Sequence, residues 1–182
     1  MNNTLDQKKS EAFAQKMLAV VNHAGLALMT SLGHRSGLFD AMAEMPPSTS
    51  GEIAGSTSLN ERYVREWLAA MVTGGIVEFD SAARTYRLPA EHAAWITRKA
   101  SPNNLAVGTQ FVAVLGGVEE HVLAAFRHGR GVPYSAYSRF HEVMAEESAQ
   151  SVVAGLLDQI LPLMPGMETR LARGIEVLRP AA

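Results

Sequence analysis

Thr49-Ser-Gly-Glu-Ile-Ala-Gly-Ser-Thr-Ser-Leu-Asn-Glu-Arg-Tyr-Val-Arg-Glu-Trp-Leu68, continued by Gly74-Gly-Ile-Val-Glu-Phe-Asp80 and Thr85-Tyr-Arg-Leu88, decides the fold. Ser50 can cap a short helix whose apolar contacts are Ile53 and Ala54. Gly55-Ser-Thr-Ser58 ends that helix. The next helix starts either at Ser58, where Ser-x-x-Glu spells a capping box with Glu61, or at Asn60, an equally good cap. Val64, Leu68, Met71 and Val72 recur at helical spacing and form its buried stripe, with Trp67 packing alongside. Gly74-Gly75 stops it. Ile76, Val77 and Phe79, then Tyr86 and Leu88, are strand formers on either side of a Ser81–Arg84 turn. Helix, turn, longer helix and hairpin together make a winged helix-turn-helix.

Outward from this unit the chain reads as mainly α with a small β-wing. Residues 10–32 form a long helix with a stripe of Phe13, Met17, Val20, Val21, Ala24 and Leu28, widened by Leu18, Leu26 and Met29. A helix apolar on most sides needs cover, here between subunits. Gly33-His-Arg-Ser-Gly37 breaks it, and Leu38, Phe39, Met42 and Met45 belong to a short helix ended by Pro46-Pro47. Beyond the wing, 91–99 is a short helix carrying Trp95 and Ile96. Asn103 or Asn104 caps a helix from Leu105 to about His128, in which Gly116-Gly117 costs about 1 kcal/mol per glycine and implies a kink or a close backbone approach. Tyr137 to Ala149 and Val152 to Met164 are helical, Met167 to Arg173 is a last short helix, and Ile175-Glu-Val-Leu178 reads as the start of a strand.

The totals bound the function. The 182 residues suffice for one domain or one and a half, and 47% hydrophobic content can bury a core. A net charge of −2 predicts no general affinity for polyanions. With no cysteine there is no disulfide, no cysteine zinc site and no thiol catalysis. The start is polar, which argues against a signal peptide, and the apolar run from Met17 to Leu32 is interrupted by Asn22, His23, Thr30 and Ser31, so a soluble cytoplasmic protein is expected.

A helix-turn-helix invites DNA, which Arg62 and Arg65 would contact. Yet from Ser48 to Leu88 four arginines (62, 65, 84 and 87) face five acids (Glu52, Glu61, Glu66, Glu78 and Asp80), where a reader of DNA shows a basic face. Nucleic acid is therefore not the expected partner. A second constellation lies in Tyr134-Ser-Ala-Tyr-Ser-Arg-Phe-His-Glu142. Tyr137 and His141, four apart on a helix, share a face, and Tyr, His and Glu142 together can bind a small polar ligand or move a proton. The plainer alternative is that Tyr137, Phe140 and Met144 are core and His141 a satisfied partner within it. The other histidines are scattered and make no metal-ligand spacing, no seryl nucleophile stands in a G-x-S-x-G setting, and no phosphate-binding glycine loop opens a helix after a strand. The residues alone thus name no catalytic, cofactor or metal site.

Three stretches in order carry a resemblance: Gly33-His-Arg-Ser-Gly-Leu-Phe39, Leu59-Asn-Glu-Arg-Tyr-Val-Arg-Glu-Trp-Leu68, and Gly131-Val-Pro-Tyr134 with Arg139-Phe-His-Glu-Val-Met144. Together they resemble the N-terminal part of bacterial class I S-adenosylmethionine-dependent methyltransferases with a winged-helix head, over roughly Ala12 to Leu178. The resemblance implies a winged dimerisation domain over residues 10–89, a helical substrate-capping segment over 90–174, and at 175–182 the stub of the first strand of a Rossmann-like catalytic domain. It implies a homodimer, a small-molecule substrate, and Phe111, Tyr134, Tyr137, Phe140 and His141 facing that substrate. In the family, S-adenosylmethionine is held by a glycine-rich loop after the first catalytic strand. Where that loop should follow, the sequence has Arg179-Pro-Ala-Ala182. The expectation is therefore a fragment, a shortened family member or one half of a split enzyme, which binds no cofactor and transfers no methyl group by itself. The alternatives are a winged-helix regulator of DNA and a standalone small-molecule binder.

Overall fold

In the computed structural model, residues 5–149, 152 and 155–174 are described. The fold is mainly α with one small antiparallel hairpin. Its helices are α1 (Gln7–Ser36), α2 (Leu38–Glu44), α3 (Ser50–Thr57), α4 (Glu61–Thr73), α5 (Ala90–Ile96), α6 (Leu105–Gly116), α7 (Glu119–His128), α8 (Phe140–Ser148) and α9 (Met167–Ala172), with strands β1 (Glu78–Asp80) and β2 (Thr85–Arg87) between α4 and α5. The strand expected at 175–178 lies outside the described residues.

The helix-turn-helix forms with two changes of cap. Thr49, not Ser50, caps α3: its hydroxyl accepts from the Glu52 amide while the Glu52 carboxylate accepts from the Thr49 amide, a complete capping box. Ser50 instead donates to Glu61 at 2.8 Å, which ties α3 to the start of α4. Asn60 is the cap of α4, and Ser58, the other option, takes a left-handed φ of 55° to end α3. Glu78 pairs with Arg87, Phe79 with Tyr86 and Asp80 with Thr85, and the Asp80 carboxylate closes the turn by accepting from the Ala82 and Ala83 amides. Ile76 and Val77 precede the ladder rather than joining it. Val77 and Leu88 bury beneath it, and Ser48 adds a bridge to Tyr86.

One core holds the head together: Leu38, Phe39 and Met42 from α2, Ile53 and Ala54 from α3, Val64, Trp67, Leu68 and Met71 from α4, with Val77 and Leu88. Phe39 and Trp67 meet edge to face at 5.2 Å, and the Trp67 indole donates to the Met29 carbonyl at 2.8 Å. This indole bond satisfies a buried donor and fixes α4 against α1.

Three expectations along the rest of the chain need correction. Helix α1 does not stop at Gly33. It continues to Ser36 and is ended by Gly37, at φ 78°, whose amide donates back to the Gly33 and His34 carbonyls. Its apolar stripe, expected to be covered between subunits, is uncovered within the single chain. The buried residues are Thr30, Ser31, Gly33 and His34, while Phe13, Met17, Val20, Val21 and Leu28 are exposed in the single chain. The helix expected over 105–128 is two, α6 and α7, because Gly116-Gly117 releases the turn and Val118 leaves helical geometry to bury its side chain. The helix expected from Tyr137 begins only at Phe140, after Arg139 takes a left-handed φ of 59°.

Candidate functional site

The polar loop after α7 begins at Gly129, with φ 66°, and carries one tight turn, Tyr134–Ala136, before α8. Pro133, in extended geometry, starts that turn, and the αL residue Arg139 redirects the chain into α8. This path brings the five expected residues together around Phe140. Its ring lies 6.0 Å from Phe111 of α6, 5.4 Å from Tyr134 and 5.8 Å from Tyr137, each edge to face. Tyr134 also meets the His141 ring at 4.6 Å, with its hydroxyl 3.3 Å from Nδ1. The pairing of Tyr137 with His141 on one helical face does not form, because Tyr137 precedes α8; Tyr134 takes its place. Tyr134 and His141 are exposed, whereas Phe111, Tyr137 and Phe140 are half-buried. Such a set offers flat apolar faces and one polar tip, the chemistry of a small-molecule wall.

Behind the aromatic cluster lies a polar centre that the sequence reading passed over. His34 of α1 and Gln110 of α6 are 2% and 1% exposed, and both reach the carboxylate of Glu146 on α8. His34 Nε2 is 2.7 Å from Oε1, and the Gln110 amide donates to Oε2 at 2.7 Å. Because a carboxylate only accepts, Nε2 carries the proton, and His34 Nδ1 is left buried with no partner. Burial pushes the Glu146 carboxyl pKa up, but the hydrogen bonds from Gln110 and His34 and the nearby charges of His34 and Arg98 outweigh it and hold the group below its ordinary value. Arg98 donates to the His34 carbonyl at 2.9 Å and pairs with Asp40, while Arg139 pairs with Glu142 at 2.8 Å and reaches Gln110 at 3.4 Å. One signal was readable: Gln110 stands at helical spacing between the buried Val107 and Val114, a polar residue on an apolar stripe. His34 gave no such sign, because its partner is 112 positions away.

Elsewhere, an open apolar groove of about 710 Å³ runs between α1 and α4, lined by Val21, Leu26, Met29, Ala69, Ala70 and Gly74 among others. Arg62 and Arg65 are exposed on α4, and Arg65 pairs with Glu61 at 3.2 Å. Among the described residues no three His, Asp or Glu side chains gather as a metal site, and no helix is long and apolar enough to cross a membrane.

Residues 24–98 match the family model of the Rv2258c-like winged HTH domain. Comparison with curated proteins gave no match. Among solved structures, the chain is similar to human N-acetylserotonin methyltransferase in complex with SAM, with a TM-score of 0.60 and 18% identity over 85% of this chain and 48% of that one. It is similar to the mitomycin 7-O-methyltransferase MmcR, with a TM-score of 0.54 and 17% identity over 69% of this chain and 37% of that one. It is similar also to the S-adenosylmethionine-dependent methyltransferase SibL, with a TM-score of 0.51 and 18% identity over 85% and 48%. The chain thus spans about half, or less, of the length of each, and at these identities the likeness is one of fold. Residues 24–98 are a winged helix-turn-helix similar to the Rv2258c-like domain, and the chain's fold is like that of part of the solved S-adenosylmethionine-dependent methyltransferases.

Proposed function

We propose that the chain is the dimerisation and substrate-capping part of a small-molecule S-adenosylmethionine-dependent methyltransferase. Residues 10–89 pair two copies, residues 90–174 cap the substrate, and a Rossmann-like domain supplies the cofactor site and the chemistry. Methyl transfer does not occur on the described residues by themselves. In this reading Phe111, Tyr134, Tyr137, Phe140 and His141 face the substrate, the rings holding it flat and the Tyr134–His141 pair meeting a polar group on it.

The observation that carries the reading is the uncovered face of α1. None of residues 7–29 is buried, a length of about 35 Å at the usual helical rise. Phe13 and Val21 are 63% and 65% exposed, with Met17, Leu18 and Val20 between them. A contiguous apolar face of this size marks an interface, and the groove beside α4 continues it. A second copy covers both with one symmetric contact.

Sedimentation velocity across a micromolar concentration range tests the pairing. The expected species has twice the 19.6 kDa mass of one chain, and a monomer throughout would refute it. Calorimetric titration of the chain with S-adenosylmethionine tests the division of labour: the expected trace is flat, and micromolar binding would overturn it.

A further inference from the structure

We propose that the α1 face is met by the α1 of a second copy running antiparallel, about a two-fold axis that passes between Asn22 and His23. This rests on the reading that two copies pair, and adds which residues meet. The apolar stripe is a palindrome. Phe13, Met17, Val21, Ala24, Leu28 and Leu32 follow one another at intervals of four, four, three, four and four, a spacing that keeps them on one side of a helix. All six are exposed in the single chain. Matched from the outside in, Phe13 meets the partner's Leu32, Met17 the partner's Leu28, and Val21 the partner's Ala24.

Size agrees with this register. At the axis each valine stands against an alanine, and a Cβ on the neighbouring Gly25 would meet nothing within 4 Å, so the two helices can approach closely there. In a parallel pair each residue meets its own copy. Ala24 would then face Ala24 and leave a gap between the bulkier layers of Val21 and Leu28, against the density of a packed interface. The groove agrees too. It flanks the C-terminal half of α1, with Gly25, Leu26 and Met29 on one wall and Ala69, Ala70 and Gly74 of α4 on the other. The N-terminal half, residues 7–20, has no buried residue. Antiparallel pairing lays each bare half along the partner's walled half, so one isologous contact fills both grooves. Parallel pairing would set bare half against bare half. The stripe and the groove walls together supply an area on the order of 800 Å², what each partner contributes to a standard interface.

The chain has no cysteine, so introduced thiols report on the register without interference. The double variant Met17→Cys with Leu28→Cys, air-oxidised and run without reductant, is expected at twice the 19.6 kDa mass of one chain. Each single variant is expected at the monomer mass. Positions 17 and 28 lie about 16 Å apart along a helix, beyond the reach of a disulfide, so a thiol at either position cannot meet its own copy or the other thiol of its chain. Phe13→Cys with Leu32→Cys repeats the test at the outer layer, in case the first pair disturbs packing. Single variants that cross-link would show a parallel pair and overturn the proposal. Two double variants that both sediment as dimers yet form no interchain disulfide would overturn the register while leaving the pairing itself standing. A wild-type chain that sediments as a monomer would refute the pairing, and this arrangement with it.

Discussion

Gly33 lies where two aromatic rings already occupy the space a side chain needs. A Cβ there would stand 2.4 Å from Trp67 Cζ2 and 2.8 Å from Phe39 Cε2, both ring atoms of buried residues. The rings cannot swing aside without opening the core, so Gly33→Ala is expected to cost about 1–3 kcal/mol, as overpacking does. Gly55 of α3 is the opposite case: a Cβ meets nothing within 4 Å. Gly55→Ala is expected to gain up to about 1 kcal/mol from helix propensity. Urea unfolding with unchanged slope distinguishes the two, one midpoint falling and the other rising. The same measurement separates Thr49 from Ser50. Thr49→Ala removes the capping box and is expected to cost about 1 kcal/mol. Ser50→Ala loses only a partly buried bond to Glu61 and is expected to cost less. These positions show where residue-level reading stops. Both Thr49 and Ser50 can cap, and the choice turns on Glu52 lying three residues after Thr49. Gly33 reads as a helix breaker, because a glycine kept for close approach and one kept for its backbone freedom look alike in one sequence.

The elements that were legible are those whose signal is local. The period of α4, its asparagine cap and the β-formers around Ser81–Arg84 are all set within a dozen residues, and the winged unit follows from them. The start of α8 was not legible, since it depends on Arg139 adopting a left-handed conformation that no neighbouring residue announces. Nor was its attachment, because His34, Gln110 and Glu146 are distant in sequence and meet only once α1, α6 and α8 pack. That attachment has a pH consequence of definite sign. The carboxyl of Glu146 is held below its ordinary value of 4.5 in the folded chain. A group whose folded pKa is depressed adds stability that is fully present above the unfolded value and is lost as pH falls through the folded one. The order of α8 is therefore expected to be constant from neutral pH down to about that ordinary carboxylate value and to fall below it. In Glu146→Gln this acid-dependent loss should be much reduced. The readout is amide exchange over 141–148, corrected for the intrinsic acid dependence of exchange. An unchanged acid profile in Glu146→Gln would place the titrating group elsewhere.

At the scale of the whole molecule, charge and apolar surface pull toward different partners, and charge is the weaker claim. The chain carries a net −2, and on α4 Arg65 is already engaged with Glu61. A DNA-binding chain gains most of its affinity from phosphate contacts and loses it steeply with salt. A mobility-shift titration of duplex DNA is expected to show no complex at moderate salt, and Arg62→Ala with Arg65→Ala should leave that result unchanged. The apolar face of α1 makes the stronger demand. Its stripe was legible from spacing alone, and its breadth already pointed to cover from another subunit; within the single chain it is uncovered. Phe13 and Val21 stand more than half exposed on that face, outside the core that Leu38, Phe39, Leu68 and Met71 build. Phe13→Glu with Val21→Glu should therefore leave the fold and its melting transition nearly as they are, since neither residue supports the monomer. The same pair places two like charges on a face that a symmetric partner meets with its own copy of them. Self-association is expected to weaken by at least about a hundredfold, on the scale of two lost apolar anchors and two uncompensated charges. Sedimentation of the double variant beside the wild type checks this. A dimer that survives both substitutions would move the contact off α1, and a variant that loses its helical signal would show that α1 serves the monomer instead.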